Sequence, residues 1–321
     1  MRRRDFLSCA GGTLLSWPLA AHAQRSKQAR IGVLVIGNAD ADLFGKELRA
    51  ALRGLGHVEG QTVVLDIRSA DGQLSRLPAL AADLVQQKSD AIIALYTPCI
   101  VAAAQATRDI PIIMLTGDAL ATGQITSLSR PGGNLTGLSL MAAETHAKCV
   151  ELFKDMLPST RNIAAIGNAA DPSFAKVFLE HTQRAGGSLG VEIHPVTVRG
   201  VPELDAAFAK AAAQKMDAVV FQGSLPTKRL VELAHDHRMP TATTPRAFPE
   251  IGGLMAYGAD GPNVYRRAAV YAHKILQGEN PAEMPVEQPT KFELVINLKT
   301  AKALDLAVPA TLIVRADQLI E

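Results

Sequence analysis

From Arg30 onward, short aliphatic runs alternate with amphipathic stretches. Ile31 to Ile36 is almost continuously apolar, the pattern of a strand covered on both faces of a parallel sheet. Phe44, Leu48, Ala51, Leu52 and Leu55 then recur at helical spacing, and Gly54 and Gly56 close that helix. The alternation continues with strands expected over Val63 to Ile67, Ala91 to Leu95 and Ile112 to Leu115, and helices over Leu77 to Val85 and Ile100 to Ala106. Ser129-Arg130-Pro131-Gly132-Gly133-Asn134 breaks the series with a dense cluster of turn formers. Its paired glycines could offer N–H groups to an anion. The cluster precedes a strand, Leu135 to Leu140, so no helix dipole backs it, and it reads as a turn into a hinge strand.

A helix from about Glu144 to Leu157 opens a second series. Strands are expected at Ile163 to Ile166, Val191 to Ile193, Ala218 to Phe221 and, more weakly, near Thr241. The helices between them are Ser173 to Ala185, Glu203 to Ala213 and Lys228 to His235. Leu254 to Tyr257, the amphipathic helix Val264 to Leu276, Phe292 to Ile296 and the short helix Thr300 to Leu304 complete the reading. Strand–helix alternation predicts an α/β fold of two doubly wound parallel-sheet lobes joined by a multi-crossing hinge. The first crossing is expected near 138–144, and later ones near 255–260 and 280–290. Lobe one is then 28–140 plus about 256–283, and lobe two 141–255 plus about 286–321. At 321 residues the chain is long enough for two cores.

The first residues read as an address. Arg2-Arg3-Arg4 is a charged start, Phe6 to Leu19 a short apolar stretch, and Ala21-His22-Ala23 a cleavage site, so 1–23 is expected to be a signal peptide. Arg3-Arg4-Asp5-Phe6-Leu7 resembles the twin-arginine pattern, with an ordinary Sec signal as the alternative, and either places the protein in the periplasm. No later apolar run reaches the ~20 residues of a membrane-spanning helix. Removing 1–23 takes away three arginines and one aspartate, which brings the 33 basic and 31 acidic residues into balance. That neutrality leaves no electrostatic footprint for nucleic acid. Cys99 and Cys149 remain, each read as a small hydrophobe.

A search for catalytic motifs finds no G-x-S-x-G elbow, no Walker A loop and no C-x-x-C, and nothing implies a cofactor. His235 and His237 stand two apart, on different sides of a helix, so they do not make a metal site. Polar and aromatic residues instead recur at the C-terminal ends of the expected strands, where open parallel sheets bind ligands. In lobe one these are Asn38, then Tyr96 and Thr97, then Gly117 and Asp118. In lobe two they are Asn168 with Phe174, then Gln222 and Ser224, then Tyr257. Each has a plainer reading: Thr97 and Ser224 as helix caps, Asn38 and Asn168 as turn residues, the tyrosines as interface packing.

Three long strings carry a resemblance: Ile125 through Gly137, Gly252-Gly253-Leu254-Met255-Ala256-Tyr257-Gly258, and Gln288 through Ala301. With them the chain resembles the tryptophan/tyrosine-type ABC transporter substrate-binding proteins, a branch of the type I periplasmic binding fold. The resemblance implies a ligand held between the lobes, with Tyr96, Thr97 and Asp118 serving one side and Asn168, Gln222 and Tyr257 the other. Arg246, in a Pro-x-Arg-x-Phe pattern, would meet a ligand carboxylate or else form an ion pair at the lobe edge. The chain departs from the family pattern at Asp118-Ala119-Leu120, where Asp-Pro-Val is usual, and at Asn168-Ala169, where Asn-Pro is usual. The implied function is an exported, monomeric receptor. It would capture an amino acid or other small carboxylate by hinge closure and deliver it to an ABC permease in the inner membrane. A sensor for a membrane receptor and an exported α/β enzyme with a cleft carboxylate are the alternatives.

Overall fold

The computed structural model describes residues 28–321, and the side chains of 38–41 lie outside that description. The expected signal peptide, 1–23, and the side chain of Asn38 therefore lie outside the described residues. The first lobe runs β1 (Ala29–Val35), α1 (Asn38–Gly54), β2 (Val63–Ser69), α2 (Leu77–Gln86), β3 (Ala91–Leu95), α3 (Tyr96–Ala106), β4 (Ile112–Thr116) and β5 (Leu135–Ser139). Its sheet is parallel throughout, in the order β2-β1-β3-β4-β5. Because side chains alternate across a strand, Ile31, Val33, Ala91 and Ile93 join a cluster on one face, and Leu34, Ile92 and Ala94 a cluster on the other. Both faces are covered, which is why these strands read as unbroken apolar runs.

The second lobe contains α4 (Ala142–Met156), β6 (Asn162–Asn168), α5 (Pro172–Leu189), β7 (Glu192–Val198), α6 (Val201–Ala213), β8 (Ala218–Phe221), α7 (Thr227–Asp236), β9 (Thr241–Thr243), α8 (Ala247–Glu250) and β10 (Met255–Ala259). After α9 (Gly261–Leu276) the lobe ends with β11 (Phe292–Asn297), α10 (Leu298–Ala303), α11 (Ala310–Arg315) and β12 (Gln318–Ile320). Seven strands take the order β12-β11-β10-β9-β8-β6-β7. The β10–β11 pair is antiparallel and the rest are parallel. α4 and α5 pack on one face with Ile163 and Val220; α6 and α7 pack on the other with Ile166 and Phe221.

Three passages of chain join the lobes. After β5, Met141 takes a left-handed conformation (φ 53°, ψ 39°) and α4 turns beneath the second sheet. After β10, Asp260 caps α9 by accepting the Asn263 N–H at 3.0 Å. α9 then returns to the first lobe, burying Val264, Ala268 and Ala272 against β1 and β3 residues. The third passage follows Glu287, whose backbone pairs with Gly137 and Ser139 beside β5. β10 thus stays with the second sheet through Ala259. α3 follows β3 with no loop, starting at Tyr96 (φ 68°) instead of near Ile100. α11 and β12, absent from the sequence reading, form after Pro309 and are too short to show a period.

Candidate ligand-binding site

The C-terminal ends of the two sheets face each other across a cavity of about 150 Å³. Lobe one contributes Tyr96 and Thr97 from the start of α3, Gly117 after β4, and Val264 and Tyr265 from α9. Lobe two contributes Thr145 and His146 from α4, Asp171 and Phe174 from the start of α5, and Gln222 and Ser224 after β8. Leu43, Leu115 and Leu140 make part of the wall apolar.

A buried polar network organises the floor. Asp171 caps α5 by accepting the Phe174 N–H at 3.3 Å, and its other oxygen accepts from Gln222 Nε2 at 3.2 Å. Thr97, from the opposite lobe, is close enough to favour the charged form of the same carboxylate. Its Oγ1 lies 3.3 Å from Thr116 Oγ1. Gln222 is fixed in turn: its Oε1 accepts the Asn168 N–H at 2.9 Å, and its amide donates to Ser224 Oγ at 3.1 Å. Asn168 Nδ2 donates to the same Ser224 oxygen at 3.2 Å.

Burial raises the Asp171 carboxyl to about 6, against the hydrogen bonds from Phe174, Thr97 and Gln222 that favour its charged form. Among the described residues, no basic group contributes to that balance. His146 is fully buried between the carbonyls of Ala142 and Phe221, with Nε2 3.0 Å from the latter. Burial lowers its pKa to about 4, so the ring is neutral and donates to only one of the two carbonyls. Its face meets the edge of Phe178 with centroids 4.8 Å apart.

Of the residues expected at the site, Tyr96, Thr97, Phe174, Gln222, Ser224 and Arg246 line this cavity. Arg246 does so with its guanidinium already engaged. Nη1 lies 3.1 Å from Glu293, Nη2 2.6 Å from Gln318 and Nε 3.3 Å from Glu250. Asn168 stands behind Gln222 and Ser224 and faces an adjacent outer cleft. Asp118 is turned away and holds its own turn, accepting the N–H groups of Leu120 and Ala121 at 3.1 and 2.9 Å. Tyr257 is also outside the cavity, stacked on Phe292 with centroids 6.1 Å apart, because β10 runs two residues further and presents Ala259 instead. Asp171 and His146 were not anticipated. Asp171-Pro172 is a capping signal, an acceptor followed by proline at the first helical position, and it marks Asp171 as sitting at a strand end. His146 has no such signal, since its burial depends on the α4 crossing.

Among the described residues, no group of three or more His, Cys, Asp or Glu is placed to hold a metal ion. No helix among them is long and apolar enough to cross a membrane. Cys99 and Cys149 are buried in the cores of different lobes and are not bonded to each other.

Two parallel-sheet lobes, three connecting passages and a cavity between the sheet ends define a type I periplasmic-binding-protein fold. Residues 30–320 match the family described as ABC transporter substrate binding protein, and the chain belongs to that family. It is 27% identical over 290 residues to a tyrosine-binding protein of Clostridioides difficile (strain R20291), covering 87% of this chain and 82% of that protein. A solved ABC domain in complex with L-Trp from Streptococcus pneumoniae superposes with a TM-score of 0.80 at 26% identity, over 91% of this chain and 100% of the other. A conserved domain protein from Vibrio cholerae superposes at 0.83 with 24% identity, over 91% of this chain and all of that one.

Proposed function

We propose that this protein is exported, binds an amino acid between its lobes, and presents it in the closed form to an ABC permease. The observation that carries the ligand class is Asp171. Among the described residues it has no basic partner, and it is buried at a cavity whose arginine is already committed to Glu250, Glu293 and Gln318. A buried carboxylate of this kind is matched by a ligand ammonium. Ser224 Oγ accepts from Gln222 and Asn168 and keeps its own proton for a carboxylate or other polar end, and the leucines and Phe174 suit an apolar side chain. Relatives described by tyrosine and L-Trp support an aromatic amino acid in particular.

The signal-peptide pattern of 1–23 supports export, with Arg3-Arg4 favouring the twin-arginine route. A thermal-shift screen tests the ligand class. It would use L-Trp, L-Tyr, L-Leu, tyramine and 4-hydroxyphenylacetate, which separate the amine from the carboxylate. A ligand at a hundred times its Kd adds about 2.7 kcal/mol, so a true ligand gives a clear upward shift. The expected outcome is stabilisation by an amine-bearing compound. Stabilisation by 4-hydroxyphenylacetate and by none of the amines would contradict the reading.

A further inference from the structure

Gly117 has no backbone reason to be glycine: its φ lies outside the left-handed range that side chains avoid. Space is the constraint. A Cβ there would stand 2.6 Å from Cε2, 2.8 Å from Cζ and 3.1 Å from Cδ2 of Phe174, far inside ordinary van der Waals contact. Gly117 belongs to the first lobe and Phe174 to the second, so this ring is seated against backbone across the cleft.

Both sides are held in place. Gly117 is held at the hinge, its carbonyl accepting the Ala142 N–H at 2.9 Å. Phe174 is buried to 5% exposure, its N–H is capped by Asp171, and its ring lies beside His146. Thr97 of the first lobe and Asp171 of the second line the same cavity beside this contact, Asp171 three residues before Phe174 on the same helix start.

We infer that Gly117 and Phe174 are the closure stop of the cleft, a positioning pair that fixes how near the lobes approach and so the volume left for the ligand. The inference rests on the proposal that the lobes close on a solute. A methyl group at 117 has two ways to be accommodated. It holds the lobes apart, or it swings the Phe174 ring into a cavity of about 150 Å³. Either weakens a ligand enclosed by both lobes.

The test is a double-mutant cycle of G117A, F174A and G117A/F174A. Calorimetric affinity for L-Trp and L-Tyr is measured alongside the small-angle scattering radius of gyration, with and without amino acid. G117A should bind about tenfold more weakly than wild type, as overpacking a tight contact predicts. On the F174A background the same substitution should change affinity less than twofold, because the ring it strikes is gone. G117A should also scatter as a more expanded particle than wild type, and G117A/F174A should match F174A. Equal losses in both backgrounds, or unchanged affinity and scattering in G117A, would overturn the closure stop. If wild type binds neither amino acid, the aromatic amino-acid reading fails, and the scattering comparison of the free proteins decides this one.

Discussion

Burying a carboxylate without a cation opposes folding, and Asp171 is in that position. Its raised pKa means the free protein is best served by the protonated acid, so the Asp171 contribution is intact below the unfolded value near 4. It is then lost as pH rises through about 6. The stability of D171N relative to wild type should therefore rise between pH 4 and pH 7, by up to about 3 kcal/mol, on top of a constant cost for the acceptor that Gln222 loses. The same variant should lose amino-acid binding. Urea unfolding at several pH values, paired with calorimetry, checks both halves; a difference between D171N and wild type that does not change with pH would contradict the electrostatic account. For wild type, ammonium binding requires the ionised carboxylate, so affinity should drop below pH 6. Arg246 behaves differently. R246K removes the fork that joins Glu250, Glu293 and Gln318, and should lower stability by about 1–3 kcal/mol while reducing amino-acid affinity less than D171N does.

Residues of the site were legible where they stand at strand ends. Thr97, Phe174, Gln222 and Ser224 were reachable by that rule alone. The same rule named Tyr257 and Asp118, which stand off this cavity, because it does not say how far a strand runs or which way a turn folds.

At the scale of the element, β5 shows how a sheet and a hinge can depend on one backbone position. Gly137 has φ 126°, and a Cβ there would stand 2.2 Å from the carbonyl oxygen of Met114 on β4. G137A must break the β4–β5 ladder beside the first crossing, so a loss above about 4 kcal/mol is expected in urea unfolding. Gly190, which ends α5 at φ 64° in open space, supplies the contrast: G190A should lose only about 1–2 kcal/mol. Equal losses at the two sites would show that backbone conformation, not the Met114 contact, sets the requirement at Gly137. Strands such as Ala91–Leu95 were readable because both faces are buried and every position is apolar. α11 and β12 were not, since six and three residues are too few to reveal a period. The antiparallel β10–β11 pair was equally hidden, because strand direction depends on where α9 goes between them.

For the whole molecule, the three passages between lobes allow rotation without unfolding either core. α9 packs on the first lobe and α4 on the second, although each is joined by chain to the other. Two α/β series could be counted along the sequence, but which helix serves which lobe depends on contacts far apart in the chain. In the proposed closure Phe174 meets Gly117 across the cleft, and the solute held there is what the closure serves.

A crystal structure of the mature protein grown with the amino acid that stabilises it most tests that closure most directly. The account predicts the ligand enclosed between the lobes, its ammonium within hydrogen-bonding distance of the Asp171 carboxylate and its side chain against Phe174. A ligand bound on an outer face, or one in the cleft whose ammonium points away from Asp171, would contradict it.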